Sequence, residues 1–170
     1  MKKLKYLTSI VFLLGMTSYG FASNDTKNIS WENLSIEPKE ARLNGMTPED
    51  FNENWVYASF LSYSDIKAVV GETDYQALLN SRYSFAKVID LNGNEIDEAI
   101  RVGVYKSKDN HKGIFMVIFE EEKIIKVLAD NSSQGFSVLL LKDNEIQWYP
   151  CMACGKFKTL KWSAGSYQFE

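Results

Sequence analysis

The sequence predicts an α+β domain in which short N-terminal helices pack on a curved antiparallel β-meander of about six to eight strands. Three observations carry this. Helix-start signals cluster between residues 47 and 80. From residue 83 onward, apolar and aromatic runs of strand length alternate with clusters of Gly, Asn and Asp. The links between those runs are too short to hold crossover helices, so neighbouring strands are antiparallel.

Residues 1–22 read as a cleavable export signal. Met1-Lys2-Lys3-Leu4-Lys5 is a cationic start, Tyr6 to Met16 is an apolar run, and Gly20-Phe21-Ala22 has the small-x-small form of a cleavage site. The cut is expected after Ala22. The run is well short of the ~20 apolar residues of a spanning helix. This places the working protein in the periplasm or outside the cell, with no membrane span in the mature chain. The style of signal is bacterial, so the Asn-x-Ser/Thr triplets at Asn24, Asn28 and Asn131 are expected to carry no glycan.

Residues 23–46 form an irregular leader with Trp31, Leu34 and Ile36 as apolar anchors, and Pro38–Gly45 has room for one or two helical turns. Residues 47–170 make a single α+β domain, with helices over about 48–80 and the sheet over about 83–169. Thr47 is a good N-cap, Pro48 suits the first helical position, and Glu49 and Asp50 favour the positive end of the helix dipole. Phe51, Trp55, Ala58 and Leu61 follow at helical spacing, so this helix is expected to run to about Tyr63. Ser64-Asp65 can cap a second helix through Val70, stopped by Gly71, and Thr73-Asp74 a third through about Asn80.

The candidate strands are Tyr83–Asp90, Ala99–Ser107, Ile114–Glu120, Ile124–Ala129, Phe136–Leu141, Glu145–Tyr149, Lys156–Trp162 and Tyr167–Phe169. The link Asn92-Gly93 reads as a plain hairpin turn. Asp90 to Asp97 also alternates oxygen ligands, but its glycine is at the fourth position rather than the sixth of a calcium loop.

Charge narrows the partners. The chain has 19 Lys and Arg against 22 Asp and Glu. Loss of Lys2, Lys3 and Lys5 with the signal leaves 16 against 22, a net charge of −6. Such a domain lacks the basic surface that nucleic acid requires, and its field attracts basic partners.

Cys151-Met152-Ala153-Cys154-Gly155 holds the only two cysteines. In an oxidising compartment the pair is expected to form a structural disulfide that staples a hairpin turn. A redox site would put the pair at a helix N-terminus, whereas the residues after Cys154 alternate like a strand. A zinc ribbon would need a second cysteine pair. No metal or other cofactor is expected.

His111, the single histidine, lies in the turn-like segment Lys108–Gly113 and reads as a solvated turn residue. The usual catalytic motifs are absent. Glu120, Glu121 and Glu122 read as a solvated turn able to attract a basic partner. The aromatics near the C-terminus read mainly as core. Tyr149 alternates away from Trp148 and is expected to be an exposed aromatic beside the cysteine turn. The sequence therefore points to an exported binding module, such as an inhibitor or immunity protein for a partner in the cell envelope. Its expected contact surface is Tyr149, Met152, Phe157 and Glu120–Glu122. The alternatives are a small envelope enzyme or thiol-disulfide protein using Cys151 and Cys154, or a small-ligand carrier.

Overall fold

The computed structural model describes residues 34–131, 136–152 and 154–170. The expected export signal and the first part of the expected leader, Trp31 included, lie outside these residues. The described chain holds three short helices, α1 (Pro48–Phe51), α2 (Tyr63–Lys67) and α3 (Glu72–Leu79). It holds ten strands: β1 (Trp55–Phe60), β2 (Tyr83–Ser84), β3 (Ala86–Ile89), β4 (Glu98–Ser107), β5 (Lys112–Glu120), β6 (Lys123–Asp130), β7 (Val138–Lys142), β8 (Glu145–Cys151), β9 (Lys156–Ser163) and β10 (Ser166–Phe169). No helix among the described residues is long and apolar enough to cross a membrane.

Every strand pair among the described residues is antiparallel; the short links require this of consecutive strands, whereas β1–β4 and β2–β7 are paired across long stretches of chain. The strands build two five-stranded sheets rather than one meander. The first has the order β1-β4-β5-β6, with β3 also paired to β4; the second has the order β10-β9-β8-β7-β2. Strands β1 and β3 lie end to end along one edge of β4, against Gly103–Ser107 and Glu98–Arg101 respectively. At the seam Val102 accepts from Leu61 and donates to Phe85.

The strand count exceeds the sequence expectation for two reasons. Tyr83–Asp90 is not one strand: Phe85 is buried in the core, with β2 in the second sheet before it and β3 in the first sheet after it. The long first helix does not form. The backbone N–H of Asn52 bonds to Pro48 O, which closes one turn, and Asn52 itself is extended. Its side chain then accepts from Asn54 N, and the chain enters β1. The helical spacing of Trp55 and Ala58 has another origin, a β-bulge. Trp55 stands opposite Ser107 and Ala58 opposite Tyr105, with one extra residue between them on β1. A bulge shifts the two-residue alternation by one, so residues three apart share a face. The aromatic and β-branched content of Trp55–Phe60 suits a strand.

The other helices lie close to their expected places. Ser62 rather than Ser64 caps α2, and the Asp65 carboxylate accepts from Ser62 N at 2.8 Å. Gly71 caps α3. Pro38–Gly45 is not helical. Leu43 and Met46 exchange backbone hydrogen bonds around Asn44-Gly45, both at positive φ.

Alternation along β5 defines two cores. Ile114, Met116 and Ile118 join Ile100, Val102 and Val104 in the core between the sheets, facing Leu139, Ile146, Trp148, Leu160 and Tyr167 of the second sheet. Leu34, Ile66 and Leu78 enter the same cluster. Phe115, Val117 and Phe119 point the other way, under Leu43, Phe51 and Trp55. The first sheet is thus buried on both faces, which is why β5 reads as an unbroken apolar run.

Candidate functional site

The stapled hairpin closes one end of the second sheet. Cys151 and Cys154 are disulfide-bonded, with Cα atoms 5.4 Å apart. Cys154 N donates to Cys151 O and Gly155 N to Met152 O, and Gly155 has the positive φ that this turn requires. Strand β9 follows directly, so no helix dipole stabilises a thiolate here.

Tyr149 is not the exposed aromatic that alternation suggests. It does point away from Trp148, but it is only 8% exposed. Its ring lies 5.2 Å from that of Tyr83 and 5.3 Å from that of Phe157, and its hydroxyl donates to Gln147 Oε1. Burial raises its pKa, and Tyr83 adds to the rise. The exposed ring is Phe157, 47% accessible. Met152, inside the disulfide loop, is half-buried and packs against the core.

Glu121 and Glu122 form the exposed two-residue turn between β5 and β6, both at positive φ. This turn is far from the cysteines. Lys158, beside Phe157, pairs with Asp130, which faces Ile114 in the sheet. Tyr167 instead bonds to Glu98, which faces Glu120. The hairpin and the acidic turn therefore sit toward opposite ends of β5, about 20 Å apart at ~3.3 Å per residue.

Glu120 belongs to a different group from its two neighbours. Next to it lies Glu98, fully buried. Glu98 accepts from Leu91 N at 2.6 Å, from Asn92 Nδ2 at 2.5 Å and from the Tyr167 hydroxyl. Glu120 Oε2 accepts from Asn94 Nδ2 at 3.0 Å and, more weakly, from Asn92 Nδ2 at 3.4 Å. The loop that supplies these amides is held by Asp90, whose carboxylate accepts from the backbone N–H groups of Gly93, Asn94 and Glu95. Residues 90–97 thus form an eight-residue loop inside the β3–β4 hairpin, not a two-residue turn. No cluster of three or more potential metal ligands occurs among the described residues.

Asn92, Asn94, Glu120, Ile125, Trp162 and Tyr167 line an open cleft of about 300 Å³ at this end of the molecule. Trp162 is 40% exposed and leans on Tyr167, with ring centroids 4.7 Å apart. Burial, and then the bond to Glu98, raise the Tyr167 pKa well above its ordinary value.

His111 lines a larger, polar cleft of about 610 Å³ together with Trp55, Tyr105, Ser107 and Asp109. The residue types suggest a hydrolytic triad, but the order is wrong. Ser107 Oγ bonds to the Asp109 carboxylate, and His111 Nε2 lies 3.4 Å from the other oxygen of that carboxylate. A nucleophile needs the imidazole between hydroxyl and acid. Here the acid stands between them, and the bond from Ser107 is the main cause of its lowered pKa.

The sequence pattern does not mark Asn92, Glu98 and Trp162 as residues of one site. One signal was present. Glu98 and Glu120 are equidistant from Asp109, so the Lys108–Gly113 turn pairs them across β4 and β5. Nothing local says that β10 returns Tyr167 to the same place. No family model, no curated protein and no solved structure matches this chain.

Proposed function

We propose that the chain is an exported binding module, of inhibitor or immunity type, that engages a protein of the cell envelope through its stapled hairpin. One observation carries this reading: Phe157 is held 47% exposed at the start of β9, against the Tyr149 ring, which itself rests on Tyr83, in the hairpin closed by the Cys151–Cys154 bond. A large apolar side chain fixed in position loses little entropy on contact, the property of an interface anchor. Recognition is favoured over turnover because Glu98 is enclosed by its three donors, and the Ser107–Asp109–His111 order does not activate a hydroxyl.

The test is photo-crosslinking in the producing cell, with benzoylphenylalanine placed at position 157 and, as a control, at the exposed Tyr57 of β1. A discrete adduct from position 157 alone, on a mature chain beginning at Ser23, is the expected outcome. The same adducts from both positions, or none, would rule the hairpin out as the contact.

A further inference from the structure

At the end of the molecule away from the hairpin, we propose that the cleft between β6, β9 and the 90–97 loop is a receptor for a cationic side chain, an arginine guanidinium foremost. It is an open cleft. Its volume of about 300 Å³ lies at the lower limit of the ~300–1,000 Å³ usual for small-ligand sites. One wall is the Trp162 indole, held against Tyr167, with Ile125 also lining the space. Tyr167 cannot turn away, because its hydroxyl is committed to buried Glu98. Glu120 lines the same cleft. Its Oε2 takes the amide bonds from Asn92 and Asn94, which fix the carboxylate and leave Oε1 for a ligand.

An exposed indole and an anchored carboxylate lining one cleft are the pairing that an organic cation satisfies. The ring face attracts the charge, and the carboxylate accepts its N–H groups. Arginine suits this better than lysine, since a planar, weakly hydrated guanidinium stacks on the ring. Among the described residues, no Lys or Arg forms an ion pair with Glu120 or Glu98. Asp90, Glu95, Asp97, Glu121 and Glu122 lie on the two segments that flank the cleft, against the single Lys123 that faces Glu120 in the β5–β6 register, so the balance of charge there is negative. Their field disfavours an anionic ligand and draws a basic one. Charge alone would describe a solvated edge; the indole that lines the same cleft makes a site.

The proposal does not depend on the hairpin contact, and the experiment keeps the two apart. The mature chain, labelled with ¹⁵N, is titrated with a Gly-Gly-Arg-Gly-Gly peptide, and the Trp162 indole N–H resonance is followed. The Lys and citrulline versions of the peptide and free methylguanidinium are run beside it. The Arg peptide is expected to shift this resonance saturably. It should bind about tenfold more tightly than the uncharged citrulline peptide, and more tightly than methylguanidinium if the source is a polypeptide. Glu120→Gln should weaken Arg binding about tenfold. Trp162→Phe should weaken it less than Trp162→Ala, and Phe157→Ala should leave it unchanged. Equal binding of Arg and citrulline peptides would overturn the proposal, as would an unshifted Trp162 resonance or a Glu120→Gln variant that binds normally. Methylguanidinium binding as tightly as the peptide would overturn a polypeptide source.

Discussion

Gly103 and Gly113 explain themselves only through what crosses above them. In the β4–β5 register Gly103 faces Phe115, and Gly113 faces Tyr105. A Cβ on Gly103 would collide with the Phe115 ring and sit 2.5 Å from Ser59 O. A Cβ on Gly113 would lie 2.6 Å from the Tyr105 ring. Each glycine thus leaves room for a cross-strand aromatic, and Trp55 stacks on Tyr105 at 4.2 Å to continue the layer. Backbone cannot yield as a side chain can, so Gly103→Ala should cost about 3 kcal/mol, the upper part of the usual overpacking range. Urea unfolding checks this; a cost near zero would mean that the Phe115 ring moves freely.

At the scale of the element, the β8–β9 hairpin is the part that the sequence describes best. Its disulfide closes a loop of only three residue steps. The entropy taken from the unfolded chain is correspondingly small, about 2 kcal/mol. Replacing both cysteines with serine should lower unfolding free energy by about that amount, and leave the Trp148 core intact by near-ultraviolet circular dichroism. A structural bond of this kind also implies a reduction potential below about −300 mV. The β1 element shows the opposite case. Its bulge produces the same spacing of buried residues as one face of a helix, and the pattern alone cannot separate the two.

At the scale of the whole molecule, two polar contacts among the described residues join strands of the two sheets at the margins of their shared apolar core. Lys158 meets Asp130 at one end, and Tyr167 meets Glu98 at the other. The second contact makes stability depend on pH in a definite direction. The folded state raises the Tyr167 pKa above its value of ~10 in an unfolded chain. Between those values the unfolded chain has released the proton and the folded chain has kept it, so stability falls as pH rises. The contribution is complete below about pH 10 and is lost above it. Tyr167→Phe should be less stable by about 1.5–3 kcal/mol near neutrality, the worth of a hydrogen bond to a charged group. The gap should close on the alkaline side. Unfolding midpoints of the two proteins at about pH 8 and about pH 11 test this; a gap that stays constant would remove Tyr167 as the titrating group.

The sequence by itself determined the antiparallel pairing of consecutive strands, the places of the seven strands from β4 to β10 and the short helices near 63–80. These follow from link length, alternation and local caps, all of which act between near neighbours. It also determined that Cys151 and Cys154 close a turn leading into a strand. Only the tertiary structure decided that the strands form two sheets. That choice rests on Phe85 passing through the core, a packing event with no local signature. The cleft has the same origin: Asn92, Glu98, Glu120, Trp162 and Tyr167 come from a loop and four strands spread over most of the domain. Side-chain chemistry names the groups; the return of β10 against β4 decides which of them meet.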